Sequence, residues 1–255
     1  MQLRLQNRTL GYDWFGSGKT LVLVHAFPFD RRMWRDQALS LSTDRRVLTI
    51  DLPGFGESSP CDGPASMDVF ADHVLALLDH LGIEKATVGG MSMGGYVALA
   101  LAANHPARLE GLALCDTRAA ADSSETKAAR AMAINLVKEQ GVPEYLERQL
   151  PKLLSPGASQ NVRAEVRRLG NQSPEGVIAG LQALRDRPDR TKLLATLACP
   201  TLLIVGQEDA ISSPEEMASM AAAIPGSRLI RIPGAGHLAN LECPEAFAEA
   251  LGKCC

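Results

Sequence analysis

The sequence predicts an α/β protein with a mostly parallel central sheet that is flanked by helices. Two observations predict it: short apolar runs alternate with helical patterns along the chain, and the runs are rich in valine, leucine and isoleucine. Such nearly continuous runs are typical of parallel strands that are buried on both faces. The six runs are TLVLVH (20–25), RRVLTI (45–50), KATVGG (85–90), LEGLALCD (109–116), PTLLIVG (200–206) and SRLIRIP (227–233).

Four helical patterns lie between or after these runs. Residues 67–82 place apolar side chains at a period of 3.6, and residues 93–106 are apolar on nearly every side, which predicts a buried helix. Residues 214–226 and 244–252 both start with proline and contain a late glycine, as helices often do. At the beginning of the chain, segments 2–6 and 9–13 resemble a hairpin that turns at Asn7-Arg8.

Residues 117–192 differ from the rest of the chain because they are helical in pattern and contain no strand-like run. They hold 13 Lys/Arg and 9 Asp/Glu, a net charge of +4, whereas the remaining residues carry a net of −7. The pattern is interrupted at Gly141-Val142-Pro143, Pro156-Gly157 and Ser173-Pro174. We therefore predict a core domain of residues 1–116 and 193–255, with residues 117–192 as a helical cap.

Composition narrows the class of protein. The chain has 255 residues, a formal net charge of −3 and 46% hydrophobic residues, which favours a globular protein that binds no nucleic acid. We found neither a signal-peptide pattern nor a run of the roughly 20 apolar residues that a membrane helix needs, so we expect a soluble, cytoplasmic protein. The six cysteines show no metal-ligand spacing. We therefore expect no metal, and the composition leaves the oligomeric state open.

The segment GGMSMGG (89–95) carries the first chemical signal. A strand runs directly into a helix with Ser92 at the joint, and so sharp a turn exposes the serine hydroxyl. A side chain two residues before or after Ser92 would collide in that turn, which explains glycine at Gly90 and Gly94. The helix that follows offers unpaired N–H groups and a positive dipole end to an anion. Ser92 is therefore a candidate nucleophile.

A serine nucleophile needs a base that a third group holds in place. His237 is the candidate because it lies in a late loop, GAGH, after the last predicted strand. In the order serine, acid, histidine, the acid falls between the other two. Asp209 follows a strand-ending glycine, and Asp116 at the end of LALCD is the rival. The predicted oxyanion hole consists of the backbone N–H groups of Met93, directly after the serine, and Phe27, in the loop after TLVLVH.

Five motifs in this order resemble the α/β-hydrolase family over nearly the whole chain. They are HAFP (25–28), with Ala26 where glycine is usual, DLPGFGESS (51–59), GMSMGG (90–95), GQEDAISSP (206–214) and GAGH (234–237). The nearest subgroup is the one of 3-oxoadipate enol-lactonase-like proteins, bacterial carboxylesterases and cofactor-free perhydrolases. The resemblance implies the α/β-hydrolase fold with a helical cap, a structural turn at Asp51, and a bracing role for His25.

Together these signals predict a serine hydrolase that cleaves a small carboxylic ester or lactone without a cofactor and without a membrane partner. Trp34 and Met91 are candidate lining residues of the substrate pocket, although Trp34 is an equally good core residue. Arg118 is a candidate contact for a substrate carboxylate, because it follows the predicted strand edge directly. The alternatives are a ligand-binding or signalling protein with slow turnover, and a perhydrolase or C–C bond hydrolase.

Overall fold

The computed structural model describes residues 1–5 and 8–254. Eight strands of the described residues form one sheet, namely β1 (Gln2–Leu5), β2 (Arg8–Phe15), β3 (Thr20–Val24), β4 (Arg46–Ile50), β5 (Ala86–Met91), β6 (Leu109–Cys115), β7 (Thr201–Gly206) and β8 (Arg228–Ile232). Their order across the sheet is β1-β2-β4-β3-β5-β6-β7-β8. β2 pairs antiparallel with both β1 and β4, and all later neighbours pair parallel. The predicted turn at Asn7-Arg8 includes Asn7, which lies outside the described residues.

Nine α-helices occur in the described part of the chain: α1 (Arg35–Leu41), α2 (Met67–His80), α3 (Met93–Asn104), α4 (Ser124–Leu153), α5 (Gln160–Gly170), α6 (Pro174–Asp186), α7 (Pro214–Ala223), α8 (Ala239–Glu242) and α9 (Pro244–Gly252). The four helices that the sequence predicts are confirmed as α2, α3, α7 and α9, with ends that differ by three residues or fewer. Ser66 begins α2 because its hydroxyl accepts a hydrogen bond from Val69 N at 3.1 Å.

Two apolar layers hold the sheet between helices. Every residue of β3, β5 and β7 is buried, as the continuous apolar runs predict. Alternate side chains of each strand point to opposite faces. On one face Val22, Val88 and Leu203 pack in a cluster with α2 and α3, and on the other Leu23 and Ile204 share a second cluster with α1 and α9. The sheet is therefore a rigid support for the residues that follow its strands.

Between β6 and β7 the chain forms α4, α5 and α6, with no strand in this described segment. α4 is broken at Gly141, whose φ of 84° is non-helical, and α6 starts at Pro174 after the capping residue Ser173. Both positions agree with the predicted interruptions. The apolar side chains of α4 and α6 continue the cluster of α2 and α3. The exact division into a core and a cap of residues 117–192 stays a prediction.

In the described ranges, no helix combines the length and apolar character needed to cross a bilayer.

Candidate active site

Ser92 occupies a strained turn between β5 and α3. Its φ of 52° and ψ of −112° lie in a region that residues with side chains rarely adopt. Two hydrogen bonds from the next strand hold this conformation: Ser92 N donates to Cys115 O at 2.9 Å, and the Thr117 hydroxyl donates to Ser92 O at 2.8 Å. The turn is therefore fixed to the carboxyl end of β6.

The glycines on either side of Ser92 are required by space. A Cβ atom at Gly90 would overlap with the backbone of Gly94, and a Cβ atom at Gly94 would overlap with the carbonyl groups of Val24 and His25. This confirms the steric reason that the sequence indicates. The turn of Ser92 consequently brings β3, β5 and α3 closer together than side chains would allow.

His237 and Asp209 form a buried pair beside this edge of the sheet. Asp209 follows β7 and His237 follows β8, and their side chains meet with 2.8 Å between His237 Nδ1 and Asp209 Oδ2. Only 2% of His237 and 4% of Asp209 is exposed. A carboxylate accepts hydrogen bonds, so Nδ1 is the donor, and in the neutral ring Nε2 keeps its lone pair. The neutral ring therefore offers Nε2 as a proton acceptor.

Asp209 remains ionised because its surroundings compensate for burial. Burial by itself favours the neutral acid, but His237 and the backbone N–H groups of Ile211 and Ser212 outweigh it and lower the pKa of Asp209. Those two N–H groups donate to Oδ1 at 2.7 and 3.0 Å. Both oxygens of the carboxylate are thus occupied, and the group can orient the histidine ring.

Asp116, the rival acid, has different partners. It lies directly after β6, is fully buried, and its Oδ1 accepts a hydrogen bond from Gly206 N at 2.7 Å. No donor group among the described residues reaches its Oδ2. Burial, followed by the charge of Asp209, raises the pKa of Asp116 well above its usual range. The geometry brings His237 together with Asp209 rather than with Asp116.

The three candidate triad residues follow β5, β7 and β8, which lie within four adjacent strands of the sheet. Among the hydrogen bonds of the described residues, none joins the Ser92 hydroxyl to His237. In substrate-free enzymes this contact is often long, and it shortens when the substrate binds.

The predicted oxyanion donors lie on two backbone segments at the same edge. Met93 is the first residue of α3, so its N–H points out of the helix N-terminus. Phe27 lies in the loop after β3, and 8% of it is exposed. Its ring meets the ring of Phe55 at 6.0 Å and that of Tyr145 at 6.2 Å, both edge-on. The loop is thus held by aromatic contacts with the segment after β4 and with α4.

His25 braces this loop as a neutral ring. Its Nε2 lies 2.9 Å from Leu52 N, which can only donate, so Nε2 accepts and Nδ1 carries the proton. Nδ1 then donates to Ala26 O at 2.9 Å. Complete burial lowers the pKa of His25, which agrees with this tautomer. The ring joins the loops after β3 and β4, as the family resemblance implies.

Two of the candidate substrate contacts lie in the apolar core. Trp34 is fully buried and packs against Phe247, with 5.9 Å between the ring centroids. Met91 is fully buried in the same cluster, on the side of the sheet that α1 and α9 cover. For both residues, the structure supports a role in packing rather than in substrate contact.

Arg118 is already engaged by other protein groups. Its guanidinium donates to Ile211 O and forms an ion pair with Glu216 Oε2 at 3.1 Å. Ile211 belongs to the loop whose N–H groups bind Asp209. A substrate carboxylate would have to compete with Glu216, so the anion-binding role of Arg118 stays a prediction that the observed contacts do not support.

Thr117 is a site residue that the sequence argument missed. Its hydroxyl holds the carbonyl of Ser92, and its side chain fills the space that a Cβ atom at Gly95 would need. The sequence signal for this role was the position of Thr117 after the end of β6, beside β5 in a parallel sheet.

In the described residues, no group of three or more His, Cys, Asp or Glu side chains is arranged to hold a metal ion.

Comparisons with known proteins place this chain in a family. The sequence profile of the alpha/beta hydrolase fold matches residues 19–244. A 3-oxoadipate enol-lactonase from Acinetobacter baylyi is 29% identical over 98% of this chain and 94% of its own. The structure of a thermophilic esterase from Thermogutta terrifontis is 41% identical, with a TM-score of 0.94 over 98% of this chain and 96% of that one. An enol-lactonase structure from Burkholderia xenovorans is 28% identical, with a TM-score of 0.90 and 98% of each chain covered.

The chain belongs to the alpha/beta hydrolase family. These relatives are named as esterases and enol-lactonases, so ester hydrolase is the enzyme class that the comparisons support.

Proposed function

We propose that the protein hydrolyses a small carboxylic ester or lactone, with Ser92 as the nucleophile, His237 as the base and Asp209 as the orienting acid. The observation that carries this proposal is the buried hydrogen bond of 2.8 Å between His237 Nδ1 and Asp209 Oδ2. This pair lies at the same sheet edge as Ser92. The esterases and lactonases among the structural relatives support the same reaction class.

In the first half of the reaction, the Ser92 oxygen attacks the substrate carbonyl and its proton passes to Nε2 of His237. The resulting imidazolium is stabilised by the neighbouring Asp209 carboxylate. Negative charge develops on the carbonyl oxygen, and the N–H groups of Met93 and Phe27 bind that oxygen. His237 then gives the proton to the leaving oxygen, the C–O bond breaks, and an acyl group remains on Ser92.

In the second half, water enters and His237 removes a proton from it as the water attacks the acyl carbon. The same N–H groups stabilise the second tetrahedral intermediate, and the proton returns to the Ser92 oxygen as the acid leaves. For a lactone, the leaving oxygen stays attached to the acyl group, so ring opening yields a single hydroxy acid, or its keto form from an enol-lactone. We propose no cofactor for either half.

The decisive experiment is Ser92→Ala, assayed on a panel of p-nitrophenyl esters, aliphatic lactones and enol-lactones. We expect kcat to fall on the order of 10³- to 10⁶-fold while the fold is retained, because the nucleophile is lost but the turn is not. Ser40→Ala, a change at an exposed serine of α1, is the matched control and should retain full activity. Ester turnover by Ser92→Ala within tenfold of the wild type would exclude Ser92 as the nucleophile.

The same panel separates the alternatives. A ligand-binding protein with slow turnover would release one equivalent of product in a burst and then stop, whereas a hydrolase shows steady turnover. A perhydrolase would form a peracid when hydrogen peroxide is added, and a C–C bond hydrolase would cleave a vinylogous diketone. Steady ester or lactone turnover without these products supports the proposal.

A further inference from the structure

Asp116 lies between the two segments that present Ser92 and Asp209. Its neighbours Cys115 and Thr117 both bind the backbone of Ser92, at 2.9 and 2.8 Å. Its own Oδ1 accepts a hydrogen bond from Gly206 N at 2.7 Å, and Gly206 O in turn accepts one from Asp209 N at 3.1 Å. These four hydrogen bonds join the Ser92 turn to the loop that carries Asp209. The bond that the Asp116 side chain accepts crosses from the segment after β6 to the end of β7.

The surroundings of Asp116 disfavour a negative charge. The residue is fully buried, no donor group in the described part of the chain reaches its Oδ2, and its carboxyl group lies within hydrogen-bonding reach of the Asp209 carboxylate. Asp209 and Glu242 carry the neighbouring negative charges, Cys115 is the adjoining thiol, and His237 is already bonded to Asp209. Two neighbouring carboxylates in a buried site cannot both ionise without a large cost in free energy.

A neutral Asp116 can keep the hydrogen bond from Gly206 N and also avoid a second buried negative charge. Its carbonyl oxygen still accepts from Gly206 N, and the proton on the other oxygen removes the charge. The raised pKa of Asp116, caused first by burial and then by Asp209, agrees with this state. The φ of Asp116 is positive, at 43°. Aspartate and asparagine adopt this backbone region more readily than most residues, so the residue type suits the position.

We propose that Asp116 is a positioning residue that works as a neutral carboxylic acid, holding the Asp209 loop in register with the Ser92 turn. This rests on the proposed function of Ser92, Asp209 and His237. Asp209 is the charged partner of the histidine, and Asp116 fixes where that partner lies without competing for the imidazolium.

Three variants test the proposal under saturating ester. Asp116→Asn keeps an acceptor toward Gly206 N and has no charge, so kcat should stay within about threefold of the wild type. Asp116→Gly tolerates the positive φ but leaves Gly206 N without its partner, and kcat should fall roughly 5- to 100-fold with little change in KM. Asp209→Asn is the matched control and should be far more damaging than Asp116→Asn.

The pH dependence gives a readout that does not depend on how well Asp116→Gly folds. If Asp116 is neutral in the wild type, the kcat/KM profile of Asp116→Asn should superimpose on that of the wild type. If Asp116 is ionised, its removal takes a negative charge from beside the Asp209–His237 pair, and the acid limb should move to lower pH. Such a shift would overturn the proposal.

Urea unfolding as a function of pH measures the charge state of Asp116 in the folded protein. A folded-state pKa above the unfolded one contributes stability at low pH that is lost as the pH rises through the folded pKa. Asp116→Asn removes this loss, so it should become more stable relative to the wild type as the pH rises from about 4, the ordinary value of an aspartate. The opposite trend would show that Asp116 is held as a carboxylate and would overturn the proposal.

Failure of this proposal is distinguishable from failure of the proposed function. If Ser92→Ala abolishes turnover but Asp116→Asn is as inactive as Asp209→Asn, the serine mechanism stands and Asp116 is a charged participant. If Asp116→Gly is as active as the wild type, the acid has no positioning role. If Ser92→Ala retains turnover, the proposed function itself fails.

Discussion

The carboxyl edge of the sheet and the helical segment of residues 117–192, the predicted cap, hold their polar side chains in opposite ways. At the edge, the exposed fraction of Asp116, Asp209 and His237 is below 5% for each residue. Their hydrogen bonds come from backbone N–H groups or join His237 to Asp209. Of the eight ion pairs that involve the helical segment, three have both side chains more than 40% exposed and lie within or between its own helices: Arg148–Glu144, Arg167–Glu147 and Arg168–Glu165.

This difference shows why the net charge of a segment is a poor guide to its function. Residues 117–192 carry a net of +4, but their arginines largely neutralise nearby carboxylates instead of facing the proposed active site. Exposed pairs contribute about 0 to 1 kcal/mol each, so they affect folding and binding little. A buried pair is different, and the cap has one: Arg187 with Asp122, whose side chains are 3% and 1% exposed.

The largest effect on this comparison should come from Asp209→Asn at the sheet edge. An amide there favours the wrong histidine tautomer, so kcat should fall on the order of 10²- to 10⁴-fold. The assay is steady-state hydrolysis of a p-nitrophenyl ester. Asp186→Asn, at an exposed carboxylate of the cap, is the control and should leave kcat unchanged. Equal activities of the two variants would break the contrast between edge and cap.

The next effect concerns the buried pair within the cap. Asp122 accepts from Arg187 at 2.6 Å and from Arg130 at 3.2 Å, and Arg187 also lies over the Tyr96 ring at 4.3 Å. Asp122→Ala leaves the buried Arg187 guanidinium without its carboxylate, and the free energy of unfolding should fall by about 3 kcal/mol. Urea unfolding measures this, with Asp186→Ala as the exposed counterpart, for which no measurable loss is expected. Similar losses in both variants would mean that burial does not separate the two pairs.

The smallest effect should come from Arg118→Ala, at the boundary between the two regions. Because the guanidinium holds Ile211 O in the acid loop, its loss should lower kcat roughly fivefold to tenfold for anionic and neutral substrates alike. The interpretation from the sequence predicts instead a higher KM for anionic substrates alone, weakening as salt rises from roughly 0.01 to 0.15 M. A matched pair of esters, with and without a distal carboxylate, decides between these outcomes.

Local patterns predicted the strands, four of the helices and the strained turn, because these depend on neighbours in the chain. The glycines around Ser92 are an example, since the residues that would collide lie on the same turn or on the adjacent β3. The α/β-hydrolase motifs added the order of the loops. The sequence also favoured Asp209 over Asp116, although both follow strands at the same edge.

Side-chain contacts between distant elements were harder to predict. Trp34 packs against Phe247 of α9, and Arg118 meets Glu216 of α7, so the roles of both depend on helices far along the chain. A tryptophan near a catalytic loop or an arginine after a strand has the same local pattern in either role. Only the packing of the folded chain separates a core residue from a pocket residue, and a structural ion pair from a ligand contact.

The backbone and the ring of Phe27 contact different parts of the molecule. Its backbone follows β3 and offers the proposed oxyanion donor, whereas its ring meets Tyr145 of α4 and occupies the space that a Cβ atom at Gly180 would need, 2.7 Å away. Laboratory exchange of caps between hydrolases is therefore not a neutral operation in this protein. A grafted cap that lacks a small residue opposite the ring would displace the loop, so a transplant has to carry its own Phe27 counterpart if substrate range is to change without loss of turnover.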